Sequence, residues 1–276
     1  MASKIDLTDI TFLIPLRIDS LERLENIIVC TSFLLKYFKT NIVICEADNE
    51  NTGLLRKALS PEIRTFFVKD SNPSFHRTYY INELVRISTT PFVAIWDTDV
   101  LVEPEQIAVS VDSLRKNIYD FIYPYDGRFI DTGVVYRRLF IDRLDINVLK
   151  SNTLDMEAPY THNACGGGFI ARREAYVQAG MENENFTSWG PEDGERLKRW
   201  RTLEMRIGWV KGEMFHLYHS RGINSRFKSD KEKKRLIIEA DRIGDMSKKE
   251  LEEEVLKWNN KIMLRKSAFC SKIGMS

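Results

Sequence analysis

Four short apolar runs, each separated from the next by a stretch of helical spacing, constrain this chain most. They are Ile10–Leu16 (ITFLIPL), Asn41–Glu46 (NIVICE), Arg64–Val68 and Phe92–Trp96 (FVAIW). After the first run, Leu21, Leu24, Ile28, Leu35 and Phe38 recur near a helical period, which predicts a helix over residues 20–38. Residues 53–59 and 77–88 read as further helices, and Glu103-Pro104 opens another that reaches about Lys116. Strands alternating with helices predict an α/β fold with a mostly parallel sheet flanked by helices. In such sheets ligands sit outside the carboxyl ends of the strands, so the residues just after each strand are the ones to inspect.

The second half is less regular. Tyr119–Tyr123 and Gly133–Tyr136 read as strands, and residues 142–163 as an irregular stretch that could serve as a mobile lid. The run Cys165–Ala171 (CGGGFIA) is a strand with a glycine-rich entry, residues 192–206 are helical, and Gly212–His219 is a further strand. From Lys228 to Lys257 nine basic and nine acidic residues alternate with Ile238, Met246, Leu251 and Val255, which predicts one or two amphipathic helices packed on the body.

Composition removes several classes. The chain has 276 residues, 43% hydrophobic and 29% charged, enough to bury a core without disulfides or a structural metal. Its 41 basic and 40 acidic side chains give a net charge of +1, so no nucleic-acid partner is expected. Cys30, Cys45, Cys165 and Cys270 lack CxxC spacing and are expected to be reduced thiols. No apolar window is long enough for a transmembrane helix, and Lys4, Asp6 and Asp9 interrupt any leader-like core. These features point to the cytoplasm, with peripheral association at a membrane surface left open.

Three motifs carry chemistry. Asp97-Thr98-Asp99 follows the apolar run FVAIW directly, and two carboxylates at that spacing on a strand end can both reach one hard cation, Mn²⁺ or Mg²⁺. The same pattern also occurs in solvated loops. Trp189-Gly190-Pro191-Glu192-Asp193 precedes a helix, where an acid pair is favourable in itself; it could equally supply a carboxylate base beneath an aromatic platform for a sugar. Phe215-His216-Leu217-Tyr218-His219 holds two of the chain's four histidines. Residues i and i+3 of a strand face opposite sides, so only one imidazole is expected to ligate unless the chain bends. Scattered near strand ends are Pro15, Arg17, Glu46, Asp48, Phe75, Arg77 and Asn82, of which the arginines suit phosphate and a carboxylate after the second strand suits a uracil or a ribose.

Taken in order, these residues resemble the nucleotide-sugar glycosyltransferases of GT-A fold, a Rossmann-like architecture, in the branch of the β-1,4-galactosyltransferases and bacterial chondroitin polymerases. The matching segments are Ile14-Pro15-Leu16-Arg17, Phe75-His76-Arg77-Thr78 with Asn82, Asp97-Thr98-Asp99, Gly166-Gly167-Gly168, Trp189–Asp193 and His216–His219. Pro191 stands where the family pattern has glycine, and His216 where it has methionine. The resemblance spans about residues 10–227. It implies a GT-A domain over 1–227, with a nucleotide-binding half at 1–123 and an acceptor-binding half at 124–227, followed by a C-terminal helical extension at 228–276.

It further implies metal-dependent, inverting transfer of a sugar from a UDP-sugar (galactose, N-acetylgalactosamine, N-acetylglucosamine or glucuronic acid) to a glycan or lipid-linked glycan. Asp193 would be the base. Pro15, Arg17, Glu46, Asp48, Phe75, Arg77, Asn82 and Asp97 would bind the donor, and Gly167, Trp189 and Glu192 the acceptor. Asp99, His219 and His216 would hold Mn²⁺ or Mg²⁺. A sugar nucleotidyltransferase would want a glycine-rich basic loop after the first strand; Arg17 and Arg23 are there, but no glycines. A catalytically silent carbohydrate-binding protein on the same fold is the remaining alternative.

Overall fold

The structure, a computed structural model, describes residues 3–264. Its elements run β1 (Ile5–Leu16), α1 (Leu21–Tyr37), β2 (Phe38–Asp48), α2 (Leu54–Ala58), β3 (Arg64–Lys69), α3 (Arg77–Ile87), β4 (Phe92–Trp96), β5 (Val100–Leu101) and α4 (Pro104–Arg115). They continue with β6 (Phe121–Tyr123), β7 (Phe129–Asp131), α5 (Gly133–Arg143), α6 (Asn147–Lys150), β8 (Glu157–Tyr160), β9 (Gly168–Arg172), α7 (Arg173–Gln178), α8 (Glu192–Thr202), β10 (Ile207–Trp209), β11 (Met214–His216), α9 (Asp230–Gly244) and α10 (Lys248–Leu264).

Seven strands form the main sheet in the order β10-β6-β9-β4-β1-β2-β3. The pairs β1–β2, β1–β4, β2–β3 and β6–β10 are parallel, while β9 runs antiparallel between β4 and β6. The expected mostly parallel sheet, flanked by helices, is the one found. Every residue of β4 is buried, as a central strand covered on both faces requires. Parallel pairing of β1 with β4 brings the chain out at one sheet edge after Leu16 and after Trp96. Because β9 is antiparallel, its beginning lies at that same edge, with Gly168 opposite Trp96. Ser20 caps α1 by accepting from the Arg23 backbone N–H, so the first turn of that helix also opens on this edge.

A second sheet, β5-β11-β7-β8, was not anticipated. Its strands have two to four residues, too short for alternation to register in sequence. Two expectations are corrected here. Gly133–Tyr136 is not a strand but the start of α5: Val134 and Val135 are exposed, while Arg137 and Phe140 are buried one turn apart. The apparent irregularity of residues 142–163 resolves into the end of α5, α6, a 3-10 turn at Thr153–Asp155 and β8, which pairs with β7.

Helix α9 is capped by Ser229 and packs against α8, and α10 also contacts α8. Cys30, Cys45 and Cys165 are free thiols; Cys270 and the end of the expected extension, residues 265–276, lie outside the described residues. No helix among the described residues is long and apolar enough to cross a membrane.

Candidate active site

The strand ends open on a cleft of about 800 Å³, within the range of small-molecule and cofactor sites. Its corner is built by backbone pairing. Val100 of β5 is opposite His216 of β11, and His216 is opposite Asp131 of β7. The Leu217 N–H donates to the Asp99 carbonyl at 2.7 Å. This ladder holds Asp99, His216 and Asp131 side by side although they are far apart in sequence.

The chain leaves the strand after His216, so His219 swings back to the same place, and the strand rule that only one imidazole reaches the corner does not apply. His216 Nε2 lies 3.6 Å from one Asp99 oxygen and His219 Nε2 lies 3.4 Å from the other. One ligand atom from each of the three residues falls within 4.8 Å of the rest. His216 Nδ1 is 2.6 Å from Asp131 and His219 Nδ1 is 3.0 Å from the Ser220 carbonyl. Both partners are acceptors, so each Nδ1 donates to them and each Nε2 is the nitrogen that faces Asp99.

Arg23 and Thr98 complete the surroundings of Asp99 at 3.3 and 3.1 Å. Burial alone would raise the Asp99 carboxyl, but His216, Arg23 and His219 outweigh it and hold it below its ordinary value. The mixed carboxylate–imidazole set fits Mn²⁺ better than Mg²⁺, which prefers an all-oxygen shell.

The first carboxylate of the motif is engaged differently. Asp97 is gripped through one oxygen by Arg77, at 3.1 and 2.6 Å. Its carboxyl is raised by burial and by Asp99 and Asp193, which together exceed the effect of Arg77. The backbone N–H of Asp97 donates to the Gly167 carbonyl at 2.8 Å. Gly167 sits at φ +79°, and a Cβ there would meet the Met214 side chain at 2.6 Å, so both conformation and space demand glycine.

The start of α8 and the loop before it form another wall of the same cleft. Asp193 and Glu192 line the cleft with Trp189, which is 44% exposed and packs edge-on against Phe227 at 5.0 Å. Glu192 is buried, its Oε2 has no hydrogen-bond partner among the described residues, and burial followed by Asp193 pushes it up to about 8. Phe227 and Ile237, from the approach to α9 and from α9 itself, also border the cleft.

Of the residues singled out by sequence, Pro15, Arg17, Phe75, Arg77, Asp97, Asp99, Gly167, Trp189, Glu192, Asp193, His216 and His219 share this cleft. Glu46, Asp48 and Asn82 are not among its lining residues. Asn82 is fully buried and ties α3 to Glu182 and Glu184. Glu46 is buried opposite Leu16 of β1, and its carboxyl is raised by burial and by Asp48, which ends β2.

Arg17 is held by the Ala47 and Asn72 carbonyls and by Asp70, beneath Phe75. Sequence reasoning missed Asp131, the contact of Arg23 with Asp99, and Asn224, which accepts from the Phe75 N–H and donates to Asp19. Only the tertiary pairing of β7 with β11 identifies Asp131.

The fold is a mixed α/β sheet with its cleft outside the carboxyl ends of the central strands. Residues 147–220, which include the glycine run, the Trp189–Asp193 loop and both histidines, match the family described as the N-terminal domain of galactosyltransferase. Among solved structures, the chain is similar to the catalytic domain of Drosophila β-1,4-galactosyltransferase 7 in complex with xylobiose, at 18% identity over 81% of this chain and 76% of that one, with a TM-score of 0.46. A mutant of that Drosophila enzyme in complex with manganese, UDP-Gal and xylobiose is 16% identical over 80% and 77% of the two chains, with a TM-score of 0.49. No curated protein sequence matches the chain.

Proposed function

We propose that the protein transfers a sugar from a UDP-sugar to a glycan hydroxyl with inversion, residues 1–123 taking the donor and residues 124–227, with α9, the acceptor. The observation that carries this reading is the convergence of Asp99, His216 and His219 on one side of a single cleft with Asp193 lining the same cleft.

Asp99, His216 and His219 would hold the divalent ion. When bound, it supplies positive charge opposite the departing diphosphate. Arg17, Phe75 and Arg77 line the donor side. Arg77 keeps a buried Nη1 without a hydrogen-bond partner among the described residues, a donor free to meet a phosphate oxygen. Asp97, fixed by Arg77, faces the ribose or the donor sugar. Trp189 offers its ring to the acceptor and Glu192 a hydrogen-bonding carboxyl.

Asp193 takes the proton of the acceptor hydroxyl as that oxygen forms its bond to the anomeric carbon. The bond from that carbon to the phosphate oxygen breaks on the opposite face and UDP departs.

The test is a screen of UDP-galactose, UDP-N-acetylgalactosamine, UDP-N-acetylglucosamine and UDP-glucuronic acid for Mn²⁺-dependent hydrolysis, thermal stabilisation and transfer to glycan acceptors. At least one donor is expected to release UDP. Release of pyrophosphate from a sugar phosphate and UTP would assign the cleft to nucleotide activation instead.

A further inference from the structure

We propose that Arg196 is a positioning residue for Asp193, holding one oxygen of that carboxylate so that the other stays presented to the cleft. The inference rests on the reading of Asp193 as the base, and adds how that base is aimed.

Arg196 is 1% exposed and lies one helical turn after Asp193 in α8. Its Nη2 donates to Asp193 Oδ1 at 2.6 Å and to the Cys165 carbonyl at 3.2 Å. Its Nη1 donates to both oxygens of Glu182, at 3.1 and 3.0 Å. Glu182 is itself buried and accepts from the Tyr176 hydroxyl. The guanidinium lies over Phe169 at 4.6 Å and beside Trp200 at 5.5 Å. A pair made only for helix stability would sit on the solvent face; this one reaches from the core to a carboxylate that is 31% exposed in the cleft.

The other Asp193 oxygen is defined by a neighbour on β9's approach. A Cβ placed on Gly166 would stand 2.5 Å from Asp193 Oδ2. Arg196 therefore grips Oδ1 from below while the bare Gly166 backbone leaves room for Oδ2. With Oδ1 occupied by an ion pair, the lone pairs of Oδ2 are the ones left for a proton. A carboxylate pinned in this way loses little rotamer freedom when the acceptor arrives, which is where misplacement by an ångström is costly.

Two variants and one background test the proposal. Arg196→Lys keeps the buried charge opposite Glu182 but cannot hold Glu182, Cys165 and Asp193 together. Gly166→Ala leaves the buried ion pairs intact and crowds Oδ2 directly. Each is expected to lower kcat for transfer by about 100-fold, with UDP affinity and the KM for donor within about twofold of wild type. In an Asp193→Asn background, Arg196→Lys should cost no further activity, because a residue acting only through Asp193 has nothing left to act on. Equal losses in both backgrounds, or wild-type kcat in both single variants, would overturn the positioning role. If Asp193→Asn itself transfers at the wild-type rate, the assignment of the base fails first; if Asp193→Asn is inactive while both single variants are normal, only the positioning inference fails.

Discussion

The two walls of the cleft are held by different forces. On the side of Asp99 and the two histidines, register does the placing: β5, β11 and β7 pair so that Val100, His216 and Asp131 fall in one row, and Leu217 bonds back to Asp99. On the acid side, side chains do the placing. Arg196 and Arg199 are buried and paired with Glu182 and Glu195; Arg196 lies over Phe169 and Trp200, and Arg199 over Trp258. A backbone ladder tolerates single substitutions well because its bonds belong to no side chain. A buried ionic network does not, since removing one partner leaves a desolvated charge that costs about 3–5 kcal/mol.

This contrast sets the order of expected effects. Asp193→Asn should remove most transfer, by about 10²–10⁴-fold, the range for loss of a general base, while UDP binding survives. Kinetics with a saturating donor and calorimetric titration of UDP separate the two. Asp99→Ala should abolish Mn²⁺-dependent UDP binding because it removes the only carboxylate of the ligand triad; UDP binding that never depended on metal would refute that triad. Asp131→Ala should be gentler. Asp131 is not among the residues lining the cleft, but its loss frees the His216 ring to rotate or change tautomer, and Mn²⁺ affinity should fall by about 10–100-fold with the fold intact. Arg196→Leu, by contrast, should lower the melting temperature more than Asp131→Ala does, since Glu182 would be left buried without its cation. Equal thermal losses in the two would erase the distinction between the walls.

The wall of Asp99 and the histidines was only half legible in sequence. β4 is an unbroken apolar run, so the carboxylates after it could be located, and FHLYH advertised its histidines. Gly212–His219 was legible as a strand around β11, but its partner was not: β7 has three residues, too few to carry a readable period. Asp131 therefore looked like any loop acid. The Val-Val pair at the start of α5 misled for a related reason. β-branched residues favour strands on average, but here both are exposed and the helix is fixed by Arg137 and Phe140 beneath them.

The acid wall was legible as a motif because Trp189–Asp193 is contiguous, yet its supports were not. Glu182, Arg196 and Tyr176 come from three segments and meet only when α7 and α8 pack on β9. Asn82 is the reverse case, a polar residue at a strand-end motif whose amide is fully engaged with Glu182 and Glu184 in the core.

The smallest predicted effect bears on Glu192, and it asks whether the acid wall holds its two carboxylates in different states. Burial and the neighbouring Asp193 push Glu192 up to about 8, against the favourable influence of Arg77 and Arg196. Its ordinary value is 4.5, so between about pH 4.5 and 8 the folded protein binds a proton at this position that the unfolded chain has released. The unfolded state then binds fewer protons than the native state, and the contribution of Glu192 to stability declines as pH rises through that window. Glu192→Gln removes the titration while keeping the shape. Relative to wild type, the variant should melt higher at pH 8.5 than at pH 5.5, by a few degrees, as about 1 kcal/mol corresponds to ~2–4 °C in a domain of this size. Parallel melting curves for the two proteins across that range would mean that Glu192 is ionised in the fold and is not a neutral hydrogen-bond donor.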